Sequence, residues 1–255
     1  MLFPFLCSSS WFLLLVLVLV LVLAGCALAA SAPGRAYACG AGTGGAAGIS
    51  GCSLSEHEEE ARPKWRVGAG YAFTSTGLHF GSGLRVDEVR NSSVIAVDYS
   101  PLRRLTLEAG AGPFLGGSIT TPTGRFALTP GLASLLGGSW RVLDSDGAIP
   151  FVLGTAQLSY ISSSAPEGVG YNAFDLRLGA LVGWTLWHAV APYVVGRAFG
   201  GPVYWRYQGQ AITGTDDHHW QVGAGLSVRV GRVDVFAEGV PLGEQGVTAG
   251  AGYSF

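Results

Sequence analysis

Charged side chains are scarce in this chain. Asp, Glu, Lys and Arg make up 13% of its 255 residues, and Lys64 is the only lysine. A globular domain usually carries about 25% charged residues, so much of this surface is not built to face water. The formal net charge of −2 also lacks the basic excess that a nucleic-acid partner requires. The composition therefore argues against an ordinary soluble domain and against nucleic-acid binding.

Long apolar runs are missing after residue 30. No later segment approaches the roughly 18 consecutive apolar residues that a membrane-spanning helix needs. Yet 49% of the residues are hydrophobic and 40 are glycine. An apolar exterior without spanning helices predicts a closed β-barrel, the other structure that satisfies all backbone hydrogen bonds within lipid.

The one long apolar run lies near the N-terminus, from Trp11 to Ala24. Its length predicts a signal peptide over residues 1–26, with a retained membrane anchor as the alternative. Two cleavage patterns stay open. The segment Leu23-Ala24-Gly25-Cys26 resembles a lipobox, which would make Cys26 the lipidated residue of a lipoprotein. The segment Ala27-Leu28-Ala29 fits the ordinary rule of small residues before the cleavage site.

Residues 27–63 are rich in glycine and predict a flexible linker. Within them, Cys39 and Cys52 flank a glycine-rich loop. In an oxidising periplasm such a pair is expected to form a disulfide. A metal site would need further ligands, which His57 alone does not provide.

From Lys64 onward the apolar residues recur with a period of two, which is typical of half-buried strands. The last strand is the clearest, since Val247, Ala249 and Ala251 alternate with Thr248 and Gly250. This alternation predicts ten strands, at about 64–74, 91–99, 103–117, 125–142, 149–162, 172–187, 190–207, 217–230, 232–239 and 244–255.

The predicted connections alternate between tight turns and longer polar loops. The longer loops fall at about 75–90, 118–124, 163–171, 208–216 and 239–244. Outer-membrane barrels have tight periplasmic turns and long extracellular loops. The sequence therefore predicts an all-β fold over residues 64–255, an antiparallel up-and-down transmembrane barrel of about ten strands, with eight or twelve as alternatives.

The C-terminal strand carries the motif Thr248, Gly250, Tyr253 and Phe255, a polar residue and a glycine followed by alternating aromatics. This motif resembles the assembly signal of the bacterial outer-membrane β-barrel superfamily. The resemblance implies an outer-membrane location, lipid and the barrel-assembly machinery as partners, and Phe255 as the residue that the machinery needs most. It implies little about activity, because barrels of this type serve many functions.

Nine charged residues fall on the predicted inward face of the strands. Buried charges must pair, so we expect a lattice of salt bridges inside a narrow or occluded lumen. A charged pore or substrate path is the alternative. The nine residues are Arg66, Asp98, Glu108, Arg141, Asp175, Arg177, Arg229, Asp234 and Glu238.

One cluster has catalytic chemistry, the run from Asp216 to His219 at the predicted outer mouth. It resembles the Asp and His residues with which omptin proteases activate water, although the second acidic pair, Asp87-Glu88, falls in a predicted loop. Metal capture by His218 and His219, or an ordinary polar loop, are the alternatives. We therefore expect a non-catalytic barrel without a cofactor, either structural or a narrow porin-like passage. The other candidates are an omptin-like hydrolase and a binding protein or adhesin that acts through its loops.

Overall fold

The computed structural model describes residues 64–255 except 82, 103, 145–148, 166–168, 188 and 208, together with the backbone of 42–43 and 48–49. The predicted signal peptide, Cys26, Cys39 and Cys52 lie outside the described residues. Among the described residues, no helix has the length and apolarity needed to cross a bilayer.

The described chain consists of strands joined by short turns. In chain order the strands are β1 Gly42–Thr43, β2 Gly48–Ile49, β3 Trp65–Phe80, β4 Arg85–Leu102, β5 Leu105–Thr121, β6 Gly124–Leu128, β7 Gly131–Leu143, β8 Phe151–Ala165, β9 Val169–Gly183, β10 Val190–Gly200, β11 Val203–Tyr207, β12 Gln210–Asp216, β13 Trp220–Val230, β14 Val233–Leu242 and β15 Gln245–Ser254. The strands β1 and β2 pair only with each other, and the other thirteen form one sheet.

The large sheet closes on itself as an antiparallel barrel. Strands that are neighbours in sequence pair with each other, and β15 returns to pair with β3 from Gln245 opposite Ser75 to Ser254 opposite Arg66. The thirteen strands make ten passes along the barrel, and we call each pass a wall. Three of the ten walls are split by a short break, giving β6 and β7, β10 and β11, and β12 and β13. The structure thus confirms the predicted antiparallel barrel of ten strands. We call the end that carries Trp65 the inner end, and the opposite end the outer end.

The barrel narrows toward the outer end. The strands β14 and β15 have 10 residues each, whereas β3 has 16. Above the short β14–β15 hairpin, β12 pairs directly with β3, with Asp216 opposite Leu78 and Gly214 opposite Phe80. Among the described residues, a section through the outer end therefore crosses eight strands, and side chains fill the interior of an eight-stranded barrel.

An apolar belt surrounds the outside of the barrel. Each of the ten walls contributes a large hydrophobic side chain that is 39–63% exposed: Val67, Ile95, Leu107, Leu136, Leu158, Leu178, Val194, Val222, Val235 and Val247. The belt reaches outward as far as Phe73, Phe174, Trp220 and Leu242. A closed barrel with an apolar outer band is the architecture of a bacterial outer-membrane protein. The chain is thus a closed ten-stranded β-barrel with an apolar outer belt.

The prediction of long outer loops is wrong. Most of their residues lie in strands, since β3 continues to Phe80, β4 starts at Arg85 and β12 covers Gln210–Asp216. Beyond the belt the apolar side chains lie on the inner face of the strands and the polar ones on the outer face. Leu78 and Phe80 point inward and are at most 1% exposed, while Gly77 and His79 point outward. Where the outer face of a strand contacts water instead of lipid, its apolar side chains are buried inside, as in a soluble barrel.

The belt makes a direct prediction. Leu178→Arg places a charge on the lipid-facing side of β9, where Leu178 is 53% exposed. A basic residue near the bilayer midplane costs about 2–4 kcal/mol, but little near or beyond the interface. We expect Leu178→Arg to lower the folded fraction in lipid vesicles strongly. Thr213→Arg, exposed beyond the belt on β12, should fold like the wild type. Equal folded fractions for the two variants would contradict the assignment of the belt.

Candidate functional site: a charged cluster across the outer lumen

The interior of the barrel is filled with interlocked polar and charged side chains. The nine charged residues predicted for the lumen are all buried, with 2–7% of their surface exposed. Glycines on the inner face of the wall make room for the larger groups. A Cβ at Gly252 would lie 2.3 Å from the guanidinium carbon of Arg66. The lumen is therefore a packed core at the inner end rather than an open hollow.

Arg66 is the centre of the innermost layer. Its guanidinium donates from Nη1 to Asp98 Oδ2 at 2.8 Å and from Nε to Asp234 Oδ1 at 2.8 Å, and it makes a second hydrogen bond to Asp234 from Nη2. The three residues come from β3, β4 and β14, so this ion triad ties three walls together. Glu108 is buried next to them, with its Cα paired to that of Asp98.

A second pair lies farther along the lumen. Arg197 on β10 donates from Nη1 and Nη2 to the two oxygens of Glu238 on β14, at 2.6 and 2.9 Å, and Tyr193 donates to the same carboxylate at 3.3 Å. Two further predicted lumen residues make contacts near the ends of their strands: Arg141 pairs with Asp144 at 3.1 Å, and Arg229 donates to the backbone oxygen of Gly231.

The densest group of charges lies nearer the outer end. We call it the outer-lumen cluster, and it consists of Glu88, Arg90, Asp175, Arg177, Asp216 and Glu244. Glu244 sits in the turn between β14 and β15 and is 2% exposed. Its two carboxylate oxygens accept hydrogen bonds from Arg90 on β4 and from Arg177 on β9. One carboxylate thus joins two opposite walls of the barrel.

The remaining acids of the outer-lumen cluster are less well paired. Asp175 accepts from Arg177 Nε. Glu88 is fully buried, with Arg90 Nε 3.7 Å from its carboxylate. Among the described residues neither of its oxygens accepts a well-aligned hydrogen bond, although the Tyr171 hydroxyl lies beside it. Among the described residues, the hydrogen bond to the Asp216 carboxylate comes from Thr76 Oγ1, at 3.3 Å. Four carboxylates therefore face two guanidiniums.

The excess of carboxylates changes their affinity for protons. Burial raises the pKa of Glu88 against the opposing effect of Arg90. Burial likewise raises the pKa of Asp216 to about 7, although Arg90 acts to lower it. For Glu244, burial also acts to raise the pKa, but Arg177 and Arg90 outweigh it and hold the pKa below its usual value. Glu244 is thus the ionised partner of the two guanidiniums.

An apolar cap closes the lumen beyond the outer-lumen cluster. It is built from side chains that are at most 4% exposed, with Phe126 and Tyr207 packed against them. Trp205 is its centre and contacts the rings of Phe80 and Phe126, both at 5.8 Å between centroids. The buried members are Leu78, Phe80, Val86, Ile119, Val203 and Trp205.

Four members of the outer-lumen cluster were not among the predicted lumen residues: Glu88, Arg90, Asp216 and Glu244. All four fell within or beside predicted outer loops. Arg197 was missed as well, because apolar residues flank it on both faces of β10. The burial of β4 alternates through this segment, with Glu88 and Arg90 inside and Asp87 and Val89 outside. The sequence carried no such signal, because each face mixes charged and apolar residues.

The residues that resembled an omptin site do not converge. Asp87 and Glu88 point to opposite faces of β4, so Asp87 is exposed outside while Glu88 is buried inside. Asp217 lies outside the barrel beside Gly77, and His218 and His219 are exposed. Within the part of the chain that the structure describes, no group of three His, Cys, Asp or Glu residues is placed to hold a metal ion.

The residues of the predicted assembly signal lie on β15 and at its end. Thr248 points inward and is 3% exposed, whereas Tyr253 and Phe255 point outward with ring centroids 6.5 Å apart. The role of this strand in assembly stays a prediction.

Comparison with known proteins gives structural likenesses only. No protein-family model and no curated protein matches the chain. The outer membrane protease OmpT from Escherichia coli is 13% identical, with 76% of this chain and 97% of that one covered and a TM-score of 0.47. The translocator domain of the autotransporter NalP from Neisseria meningitidis is 16% identical, covering 79% and 92%, with a TM-score of 0.47. The outer membrane protein OprG from Pseudomonas aeruginosa is 10% identical, covering 76% and 96%, with a TM-score of 0.41.

Proposed function

We propose that this protein is a non-catalytic, structural outer-membrane barrel whose lumen is closed to solutes. The observation that carries the proposal is the burial of the charged interior. The acids and arginines of the inner triad, the Arg197–Glu238 pair and the outer-lumen cluster are all at most 8% exposed. A water-filled pore leaves the charges that line it in contact with water.

The number of strands supports the same proposal. Open aqueous channels occur in barrels of about sixteen strands, whereas about eight strands leave a space that side chains fill. The present barrel has ten walls and narrows at the outer end to the strands around the apolar cap. Buried ion pairs that link opposite walls also hold a narrow barrel in one shape. We infer that rigidity of the wall is what the lumen residues provide.

The partners that we propose are outer-membrane lipid, through the apolar belt, and the barrel-assembly machinery during biogenesis. The second is supported by β15, which presents Tyr253 and Phe255 to the lipid side next to the closing β15–β3 pair. The alternatives of a hydrolase and a loop-mediated binding protein receive less support. The candidate catalytic residues are divided between the two faces of the wall, and the described outer turns are short.

Planar-bilayer recording of the full-length folded protein tests the proposal. We expect no stable current steps from the wild type, because the charged side chains that the structure describes in the lumen are at most 8% exposed. Insertion is checked by protease resistance of the barrel, and an open porin added to the same bilayer shows that the bilayer reports conduction. Discrete current steps in the wild type would instead establish a narrow passage. Peptide or lipid hydrolysis that disappears in Asp217→Ala would establish an enzyme.

A further inference from the structure

Among the described residues, two carboxylates of the outer-lumen cluster make no close ion pair, since Glu88 lies 3.7 Å from Arg90 Nε and Asp216 contacts the hydroxyl of Thr76. The two guanidiniums of the cluster are both engaged by Glu244, and Arg177 also holds Asp175. Glu88 and Asp216 remain, and both are buried, with 0% and 8% of their surface exposed. An ionised carboxylate in such a place must be paired or must lose its charge. The most direct way to lose it is to bind a proton.

We propose that the outer-lumen cluster is a buried proton-binding site, in which Asp216 binds a proton and releases it as the pH rises. The polar and titratable groups around Asp216 come from three strands and one turn. They are Thr76 on β3, Glu88 and Arg90 on β4, Tyr171, Asp175 and Arg177 on β9, and Glu244 in the β14–β15 turn. The exposed ring of His219 lies at the edge, beside Gly200.

Two groups near Asp216, Tyr171 and Glu88, support the assignment of a proton-binding site. Tyr171 is 0% exposed, and among the described residues its hydroxyl makes no well-aligned hydrogen bond. The layer between the cluster and the apolar cap therefore holds a polar group able to hydrogen-bond the neighbouring Glu88 carboxyl. Glu88 lies against this hydroxyl and its pKa is also raised by burial. A second protonated carboxyl at Glu88 would remove the remaining excess negative charge. The cluster then balances two ionised carboxylates against two guanidiniums.

The linkage to stability has a definite sign. The pKa of Asp216 in the folded state, about 7, lies above the value of 3.8 for an unperturbed aspartate. A group whose pKa is raised on folding stabilises the protein fully at low pH, and this stabilisation is lost as the pH rises through the folded-state value. Asp216 should therefore make the barrel less stable between about pH 4 and pH 7 as pH increases. Above about pH 5 the ion pairs of Glu244 stay intact, because its pKa is below the usual value.

The test compares the wild type with Asp216→Asn in detergent micelles. From about pH 5 to pH 8, the unfolding temperature of the wild type should fall by roughly 5 °C more than that of the variant. The variant keeps every histidine, so the difference isolates Asp216. Asp217→Asn, an exposed neighbour, should behave like the wild type. In infrared difference spectra, the wild type should show a protonated carboxyl band that disappears near neutral pH and is absent in Asp216→Asn.

A second variant keeps the test informative if Asp216→Asn does not fold. Thr76→Val removes the hydroxyl that contacts the Asp216 carboxylate, so the infrared titration should move to higher pH. Identical pH dependence in the wild type and Asp216→Asn would overturn the proposal. Stabilisation of the wild type by sodium or calcium chloride without any protonated carboxyl band would overturn it too, because a metal cation would then occupy the place of the proton.

Discussion

Replacing Arg66 with alanine is expected to lower the free energy of unfolding of the barrel by about 3–5 kcal/mol. The reason is the ion triad at the inner end, where one guanidinium serves both Asp98 and Asp234. Each of these carboxylates is 2% exposed, so water cannot replace the lost cation. Because the three residues lie on β3, β4 and β14, the variant weakens the region where the barrel closes.

Denaturant unfolding followed by tryptophan fluorescence measures this effect, and Arg104→Ala is the matched control. The side chain of Arg104 is 54% exposed and reaches Asp144 only at 4.0 Å. An exposed ion pair of this kind contributes about 0–1 kcal/mol. Combining Arg66→Leu with Asp98→Asn and Asp234→Asn should restore part of the stability, since the two carboxylates that Arg66 binds no longer carry a charge. Similar losses in Arg66→Ala and Arg104→Ala would show that the triad does not stabilise the barrel.

The inner half of this molecule was predictable from the sequence because a single rule holds there. Lipid outside and a filled lumen inside force apolar and polar residues to alternate, so the register of β3 or β15 follows from Val67 or Val247 alone. The same rule placed Arg66, Asp98 and Asp234 on the inner face. It could not show that they touch, because the shear of the barrel decides which residues of distant strands meet.

The outer half was missed because the rule inverts there. Leu78, Phe80 and Val86 are apolar on the inner face, where a membrane pattern expects polar residues. When the apolar residues move from the outer to the inner face within one strand, the period of two is interrupted, and the segment resembles a polar loop in the sequence. The pairing of β12 with β3 at the outer end also joins strands that are not neighbours in sequence. No local sequence pattern predicts a contact between two strands so far apart in the chain.

Glu244 shows most clearly what depends on this inverted half. A glutamate in a hairpin turn is usually a solvated residue, yet here the turn lies under the β12–β3 pair and directs the side chain into the lumen. A Cβ at the preceding Gly243, whose φ is +87°, would lie 2.0 Å from the backbone oxygen of Trp220. The turn is thus pressed against β13, and only glycine fits at that position. Close packing of the hairpin is what brings Glu244 between Arg90 and Arg177.

Glu244→Ala is therefore expected to open the outer end of the barrel while the inner end stays folded. Arg90 and Arg177 would lose the carboxylate that joins β4 to β9, and Asp175 and Glu88 on the same two strands cannot replace that link. Breaking a buried ion pair of this kind costs about 3–5 kcal/mol. Hydrogen exchange should then accelerate on the order of 100-fold for residues 74–80 and 85–90, and much less for the paired inner ends of β3 and β4. Gln245→Ala, the exposed neighbour, should exchange like the wild type. Uniform acceleration along both strands would mean that Glu244 supports the whole barrel, and no acceleration would mean that the apolar cap alone holds the outer end closed.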